Sequence, residues 1–235
     1  MTLPQGEAKV RAVDSMFDTI APRYELMNRL LTFGMDKRWR RLTVESLQLP
    51  AGSVVLDLAC GTGDLCRELD AAGLHPVGVD RSAGMLAAAR GEDGSRARFH
   101  GGGLVRGDTL RLPVGDGSAD GAVCGFSLRN FLSLPPFLTE CARVLRPGGR
   151  LALLEVATPA NSVLRFGHSI YFERVVPVIG GLLSDRTAYS YLPRSVAYLP
   201  PDHEILAMLG QAGFVDTERR ALSVGIAQLM TATRR

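Results

Sequence analysis

The sequence has 235 residues, of which 46% are hydrophobic and 22% are charged, which is typical of a soluble α/β protein. No apolar run reaches the ~20 residues that a membrane span needs, and residues 1–17 lack the apolar region of a secretory signal. The net charge of +3 is too small to indicate a nucleic-acid partner by itself. We therefore expect a cytoplasmic protein of one domain, residues 1–235.

The N-terminal residues 9–48 show the apolar periodicity of helices, and we expect two of them. Apolar side chains recur at helical spacing from Met16 to Leu31, Gly34 marks a break, and the second helix covers Lys37–Leu47. A solvent-facing helix surface explains the basic run Lys37–Arg41 better than an RNA patch does. We interpret residues 1–50 as a helical N-terminal cap.

From residue 53 onward, apolar strands alternate with helices. The predicted strands are Ser53–Leu58, Pro76–Asp80, Leu104–Arg106, Asp120–Phe126, Arg150–Val156, Phe214–Leu222 and Ile226–Thr233. The predicted helices are Asp64–Ala72, Ser82–Arg90, Pro136–Leu145 and Asp202–Ala212, and a sharp turn at residues 146–149 precedes the fifth strand. This alternation predicts a doubly wound, mainly parallel sheet.

Residues 157–200 interrupt the alternation directly after the fifth strand. The segment is rich in aromatic side chains, namely Phe166, Tyr171, Phe172, Tyr189, Tyr191 and Tyr198. An insertion at this point lies at the carboxyl edge of the sheet, where α/β proteins bind ligands. We expect it to form a lid over the substrate.

A glycine-rich turn connects the first strand to the helix that follows, in the sequence Asp57-Leu58-Ala59-Cys60-Gly61-Thr62-Gly63. Such a turn lets a ligand approach the backbone, and the helix N-terminus offers unpaired N–H groups. A dinucleotide site needs a third glycine, but Cys66 occupies that position. Asp57 suits a cationic sulfonium ligand that carries an amino group better than it suits a pyrophosphate.

Acidic residues also end the next two strands. Asp80 follows the second strand, where a carboxylate can accept hydrogen bonds from both ribose hydroxyls. Asp108 follows the third strand, where it could accept from an adenine amino group. Carboxylates at three successive strand ends, with Asp57 as the first, favour S-adenosylmethionine as the ligand and a methyltransferase as the class of protein.

Other kinds of site fit the sequence less well. Residues 100–103 resemble an esterase oxyanion loop, but the segment Gly125–Arg129 lacks the last glycine of a nucleophile elbow. The histidines are scattered, so we predict no metal site. The four cysteines show no metal-ligand spacing, and we interpret them as small buried apolar residues, namely Cys60, Cys66, Cys124 and Cys141.

The longer motifs are more specific than the glycine turn. The segments Met16–Asn28, Phe33–Asp36 and Trp39–Arg41 resemble the opening signature of the ubiquinone/menaquinone biosynthesis C-methyltransferases. The same family is matched in order by Leu128–Asn130, Arg143–Arg150, Ala188–Leu192 and Ala212–Phe214. The resemblance extends from about residue 10 to 230. It implies a class I methyltransferase, with a Rossmann-like sheet of seven strands whose last strand is antiparallel.

The resemblance also implies the reaction and its residues. The family transfers a methyl group from S-adenosylmethionine to a ring carbon of a polyprenylated hydroquinone. The cofactor contacts that it implies are Thr62, Asp80 and Asp108 with Thr109. The glycine turn adds Asp57, Gly61 and Gly63 to the predicted cofactor-binding residues, and Gly125 joins them at a position where relatives often carry serine. For catalysis we expect Arg129 to stabilise a phenolate, Asn130 to act as a hydrogen-bond partner, and Tyr24 to close the site.

Two departures from the family pattern keep another acceptor open. Ser127 stands where glycine is usual, and Gly225–Met230 differs from the usual C-terminal segment. A methyltransferase, or a homologue with a changed reaction, that acts on an aromatic or polyketide-like metabolite therefore remains an alternative. Peripheral contact with a membrane, aided by Arg165, Arg174 and Arg186, also stays open, as does a homodimer. We expect no nucleic-acid partner.

Overall fold

A seven-stranded sheet forms the centre of the protein in the computed structural model, which describes residues 6–91, 99, 101–183, 191 and 195–235. The strands are β1 Val54–Leu58, β2 His75–Asp80, β3 Gly103–Arg106, β4 Ala119–Gly125, β5 Leu145–Val156, β6 Phe214–Leu222 and β7 Ala227–Arg234. Their order across the sheet is β3-β2-β1-β4-β5-β7-β6. Of these strands, β7 alone runs opposite to the other six, which confirms the predicted class I methyltransferase fold.

Helices cover both faces of this sheet. They are α1 Gly6–Ile20, α2 Tyr24–Leu31, α3 Met35–Ser46, α4 Asp64–Ala71, α5 Ala83–Arg90, α6 Leu134–Val144, α7 Ser162–Ile170, α8 Val176–Leu183 and α9 Asp202–Gln211. Successive residues of a strand point to opposite faces. Leu56 packs with Phe137 and Leu209 on one face, whereas Val55 packs with Trp39 and Leu69 on the other.

The N-terminal segment differs from the prediction, because three helices replace the two expected over residues 9–48. α1 ends at Ile20, and a 3₁₀ turn at Ala21–Arg23 separates it from α2. Pro22 in this turn has no N–H to donate, so it cannot continue the hydrogen-bond ladder of α1. A left-handed Gly34, with a φ of 74°, then separates α2 from α3, as the sequence predicts.

The start of β5 also differs from the prediction. The turn expected at residues 146–149 is part of the strand, which begins at Leu145. Leu145 pairs with Ala119, and the next pair joins Arg150 to Gly121, so a bulge in the β4–β5 pairing contains the extra residues. A bulge of this kind keeps the ladder continuous on both sides of an irregular segment.

The insertion after β5 is helical in the part that the structure describes. α7 and α8 are joined by a π-helical turn at Tyr171–Val175. Tyr189, Arg186 and Leu192 lie outside the described residues. The described helices include none that is long and apolar enough to cross a membrane.

Candidate active site

The glycine turn between β1 and α4 has the backbone conformation that the sequence predicts. Gly61 and Gly63 have φ angles of 56° and 80°, in the left-handed region that glycine adopts without steric cost. Ala59, at 56°, is held in the same region, where a side chain is strained. Gly63 is the N-cap of α4, so the turn leads directly into the helix N-terminus. Gly61 and Thr62 line a cavity at this edge of the sheet.

Asp57 lies beneath this turn and is almost completely buried. Its Oδ2 accepts hydrogen bonds from the backbone N–H of Cys66, at 3.1 Å, and from the Cys66 thiol, at 3.2 Å. Its Oδ1 is also buried but has no hydrogen-bond partner among the described residues. Burial raises the pKa of this carboxyl to about 7, although Cys66 and the nearby Arg40 act in the opposite direction. Asp57 thus anchors the first turn of α4 under the cavity.

Cys66 replaces the third glycine of a dinucleotide site, and the structure shows how the chain accommodates it. Gly78 on β2 lies opposite, and a Cβ there would lie 2.8 Å from the Cys66 Sγ and 2.9 Å from the Cys60 Sγ. A side chain at position 78 would therefore push α4 away from the sheet. The glycine that permits close packing is on the neighbouring strand rather than in the turn.

Asp80 and Asp108 both line the cavity, at the ends of β2 and β3. The Asp80 Oδ2 accepts from the backbone N–H of Gly61 at 2.7 Å, and its Oδ1 accepts from that of Ser82 at 2.8 Å. Burial raises the pKa of Asp80, and these backbone donors partly offset the effect. Asp108 pairs with Arg81 at 3.4 Å, and its Oδ1 caps the N–H of Leu110.

The first cavity has a volume of about 210 Å³ and collects most of the predicted site residues. Those that line it are Tyr24, Gly61, Thr62, Asp80, Asp108, Thr109, Gly125 and Asn130. Three predicted residues, Asp57, Gly63 and Arg129, are not among its described lining residues. The cavity lies at the carboxyl ends of β1, β2 and β4, beneath α1 and α2. This is the place where doubly wound sheets bind their ligands.

A second cavity, of about 160 Å³, adjoins the first and shares Tyr24 with it. Its lining is mainly apolar and aromatic and includes Leu31, Phe33, Met35, Trp39, Phe126, Val156, Tyr171, Phe172, Val176 and Ile226. Arg129, Asp36 and His168 are among its polar lining residues. His168 stacks on Phe172, with ring centroids 4.8 Å apart, and burial lowers its pKa. This pocket suits an apolar ring.

Arg129 is buried at the second cavity and forms an ion pair with Glu155. Its Nη1 also donates to the carbonyl of Phe126 at 2.8 Å, and its Nε donates to the Ser195 hydroxyl at 3.1 Å. Glu155 is fully buried on β5, so the two charges compensate each other away from water. These contacts give Arg129 a structural role, and its side chain also lines the second cavity.

The N-terminal helices are fixed over the first cavity by polar contacts. The buried Lys9 Nζ donates to the carbonyls of Arg129 and Phe131 at 2.9 and 2.8 Å, and burial lowers its pKa to about 8. The Asp18 Oδ1 accepts from the Ser82 hydroxyl at 2.5 Å and from the Gly84 N–H at 3.1 Å. Both contacts join α1 to loops at the carboxyl edge of the sheet.

Arg40 is a site residue that the sequence does not predict. The basic run predicts a solvent-facing position for Arg40, but the side chain is buried and lines the first cavity. That assignment is wrong because α3 packs against α4 and places Arg40 beside Asp64. The i to i+4 spacing of Asp36 and Arg40 was a signal for it, since such a pair lies on one helix face. The exposed Arg41 is the helix neighbour that does face solvent.

The buried carboxyl of Asp57 makes the stability of the protein depend on pH. With a pKa near 7 in the folded state against an ordinary 3.8, the folded protein retains a proton that the unfolded chain has lost. The free energy of unfolding therefore falls as pH rises through that window. Asp57→Asn does not titrate at this position, so it escapes this loss. The difference in free energy of unfolding between the variant and the wild type should therefore shift in favour of the variant by about 2 kcal/mol from pH 5 to pH 8. Urea denaturation at pH 5 and pH 8 measures this difference, and Asp216→Asn, at an exposed position, controls for the loss of one charge. An equal effect of Asp57→Asn at both pH values would contradict the prediction.

Comparisons with solved structures support the fold. A S-adenosylmethionine-dependent methyltransferase from Thermotoga maritima has the same fold with a TM-score of 0.66 at 19% identity, over 94% of this chain and 99% of that one. The phosphoethanolamine N-methyltransferase 2 of Haemonchus contortus, solved with S-adenosyl-L-methionine, matches with a TM-score of 0.62 at 14% identity, over 83% of this chain and 52% of that one. The chain therefore has the fold of the class I methyltransferases.

The sequence comparisons are more specific. The model of the ubiE/COQ5 methyltransferase family matches residues 5–234, and the chain belongs to this family. The Geobacter sulfurreducens ubiquinone/menaquinone biosynthesis C-methyltransferase UbiE is 39% identical, over 98% of this chain and 91% of that protein. The Thermus thermophilus demethylmenaquinone methyltransferase is 42% identical, over 93% of this chain and all of that protein. The resemblance indicated by the motifs is thereby confirmed.

Proposed function

We propose that the protein transfers a methyl group from S-adenosylmethionine to a ring carbon of a demethylmenaquinone-type hydroquinone. The observation that carries this proposal is the pair of adjoining cavities, one lined by carboxylates and the glycine turn and the other by apolar rings. Tyr24 lines both cavities, so a donor in the first and a ring in the second would meet beside it. The names of the relatives support the same acceptor.

The residues of the first cavity fit the proposed donor. Its sulfonium supplies an electrophilic methyl group. The Asp80 carboxylate is positioned at a strand end to accept from ribose hydroxyls, and Asp108 with Thr109 lies further along the cavity to receive an adenine. Asp64, whose pKa is lowered by the nearby Arg40 and Arg67, adds negative charge at the cavity wall, which favours a cationic ligand.

The second cavity fits a hydroquinone that must become nucleophilic. A phenol has an ordinary pKa near 10, so the protein has to favour the phenolate. The Arg129 guanidinium at the cavity wall would stabilise this anion, and because arginine stays protonated, the proton would leave through water or another base. Asn130 and Tyr24 would orient the ring, and the apolar walls would exclude bulk water. Asn130 accepts a hydrogen bond from the Tyr191 hydroxyl at 3.4 Å.

The flanking segments would control access to the site. Residues 1–50 would act as a cap, since α1 and α2 supply Phe17 and Tyr24 to the first cavity. Residues 157–200 would act as a lid, since His168 and Phe172 line the second. Both segments belong to a single methyltransferase domain in this proposal.

An aromatic or polyketide-like metabolite is the second candidate acceptor, because Ser127 and the segment Gly225–Met230 depart from the family pattern near the cavities. A panel assay separates the two. The protein is incubated with S-adenosylmethionine labelled in the methyl group, and with demethylmenaquinols or phenolic natural products. We expect label in the quinols; label in the natural products alone would contradict the first choice.

We further propose that the lid touches a lipid bilayer, from which a tailed quinol would enter. Val163, Phe166 and Ile170 lie on one face of α7 and are exposed, and the 76%-exposed Phe33 contacts Tyr171 at the second cavity. Arg165 and Arg174 lie on the same segment and would favour anionic lipid. Phe33 supports this contact, because it lines the second cavity and is also exposed at the surface.

A flotation assay with liposomes containing anionic lipid tests the membrane contact. We expect the wild type to float and the Phe33→Ser/Phe166→Ser variant to float about 10-fold less, because two apolar side chains no longer enter the bilayer. Val105→Ser, which removes a partly exposed valine from the β3 edge, is the control and should float like the wild type. Equal flotation of all three proteins, or none at all, would contradict the proposal.

A further inference from the structure

Arg40 on α3 is a buried cation that no proposed step yet uses. Its side chain is only 9% exposed, and it lines the first cavity. The guanidinium lies 5.5 Å from the ring of Phe126, which covers it from one side. Arginine is rarely buried without a specific anionic or hydrogen-bonding partner.

The acidic neighbours of Arg40 do not satisfy its guanidinium. Its Nη2 lies 3.5 Å from Asp64, and its Nε lies 3.9 Å from Asp36, which is too far for a hydrogen bond. The buried Nε has no hydrogen-bond partner among the described residues. An unmade hydrogen bond from a buried charged group is costly, so the described neighbours do not fully satisfy this guanidinium, which lines the cavity.

The acids beside Arg40 are also committed to other groups. Asp64 forms a closer ion pair with Arg67, at 2.6 Å, and Asp36 accepts from the Thr32 hydroxyl at 2.9 Å. Burial works against ionisation of Asp64, but Arg40 and Arg67 outweigh it and lower the pKa of this carboxyl. Arg40 is therefore held in place by the two acids and retains positive charge for an anion in the cavity.

The two cations that line the described part of the cavity are Arg40 and Arg81, and they lie at different ends. Arg81 pairs with Asp14 and Asp108 beside β3, at 3.3 and 3.4 Å. Arg40 lies beside the end of β4, with its Nη1 3.7 Å from the position of a Cβ at Gly125. Since β2 and β1 separate these strands, Arg40 is at the end opposite to Asp108.

We propose that Arg40 binds the α-carboxylate of the amino-acid part of the methyl donor. This inference rests on the proposed function, in which Asp108 receives the adenine and the amino-acid part extends toward β4. The carboxylate is the one anionic group of S-adenosylmethionine, and a guanidinium binds a carboxylate through charge-assisted hydrogen bonds. Apart from Arg81, which is paired with Asp14 and Asp108, the other charged residues that line this cavity are acids that would repel a carboxylate.

Gly125 belongs to the same arrangement. A Cβ at this position would lie 2.8 Å from the Leu65 Cδ1, so even an alanine would displace that side chain. Arg40 occupies the space beside it. A glycine at position 125 thus leaves the end of β4 to a cation from the N-terminal helices.

Two ligands that differ in the amino-acid part test the proposal by isothermal titration calorimetry. S-adenosylhomocysteine carries the α-carboxylate, whereas 5′-methylthioadenosine has the same nucleoside and sulfur but no amino-acid part. The variants are Arg40→Gln and Arg40→Lys, with Arg41→Gln on the exposed side of the same helix as control. Circular dichroism and the Tm of each variant establish that it is folded.

We expect Arg40→Gln to weaken the binding of S-adenosylhomocysteine about 10–100-fold and that of 5′-methylthioadenosine by less than about 2-fold. Arg40→Lys should retain part of the affinity because it keeps the charge, and Arg41→Gln should bind like the wild type. Equal losses for both ligands, or none, would overturn the inference while leaving the donor proposal intact. A wild type that binds neither ligand would overturn the donor proposal and this inference with it.

Discussion

Arg129→Met is expected to lower the free energy of unfolding by about 3–5 kcal/mol, because it leaves the buried Glu155 without its cation. Glu155 is fully buried, and besides the ion pair it accepts hydrogen bonds from the backbone N–H groups of Arg129 and Val156. These donors do not replace a positive charge. Urea denaturation of the purified variant at pH 7 gives the difference directly.

The double variant Arg129→Met/Glu155→Leu separates stability from catalysis. Removing both charges eliminates the uncompensated carboxylate, and replacing a buried ion pair by apolar side chains is often close to neutral. We expect the double variant to recover most of the lost stability and still to bind S-adenosylhomocysteine. If Arg129 stabilises the phenolate, its turnover should fall by about 100-fold or more. A stable double variant with near-normal turnover would contradict the catalytic assignment and leave Arg129 as a structural residue.

Asp80→Ala should weaken binding of S-adenosylhomocysteine by 100-fold or more, the largest effect expected on affinity. Its carboxylate accepts hydrogen bonds from the N–H groups of Gly61, in the glycine turn, and Ser82. In the proposed function it also accepts hydrogen bonds from two ribose hydroxyls. Two hydrogen bonds to a charged group contribute about 3–6 kcal/mol, which corresponds to this loss. Isothermal titration calorimetry measures it.

Asp80→Asn and Asp108→Asn refine the same test. An amide nitrogen at position 80 would face the Gly61 N–H donor or a ribose hydroxyl, so we expect Asp80→Asn to bind nearly as weakly as Asp80→Ala. Asp108 is half-exposed and already paired with Arg81, so Asp108→Asn should lower the affinity for S-adenosylhomocysteine by about 10-fold at most. Wild-type affinity in Asp80→Ala would remove the ribose assignment.

The fold could be predicted from the sequence because local and global signals agree. Apolar strands alternate with helices, and the turn at Gly61 and Gly63 needs a left-handed backbone that glycine supplies. The positions of Asp80 and Asp108 follow from the same pattern, since parallel strands end at one edge of the sheet. These residues are found by spacing alone.

The rest of the site depends on packing between distant segments. A basic run on a helix is usually solvated, and the spacing of Asp36 and Arg40 does not by itself reveal that this face of α3 packs against α4. The role of Gly78 cannot be predicted for a similar reason, because this glycine on β2 makes room for the Cys66 side chain on α4. The Arg129–Glu155 pair joins residues 26 positions apart, and only the parallel pairing of β4 with β5 brings them together.

Product analysis with a defined quinol tests the central proposal most directly. The protein is incubated anaerobically with demethylmenaquinol and S-adenosylmethionine that carries a deuterated methyl group, and the product is examined by mass spectrometry and NMR. We expect one labelled methyl group on the free ring carbon of the quinol and stoichiometric S-adenosylhomocysteine. Label on a phenolic oxygen, or no labelled quinol from a protein that binds the donor, would contradict the proposed reaction.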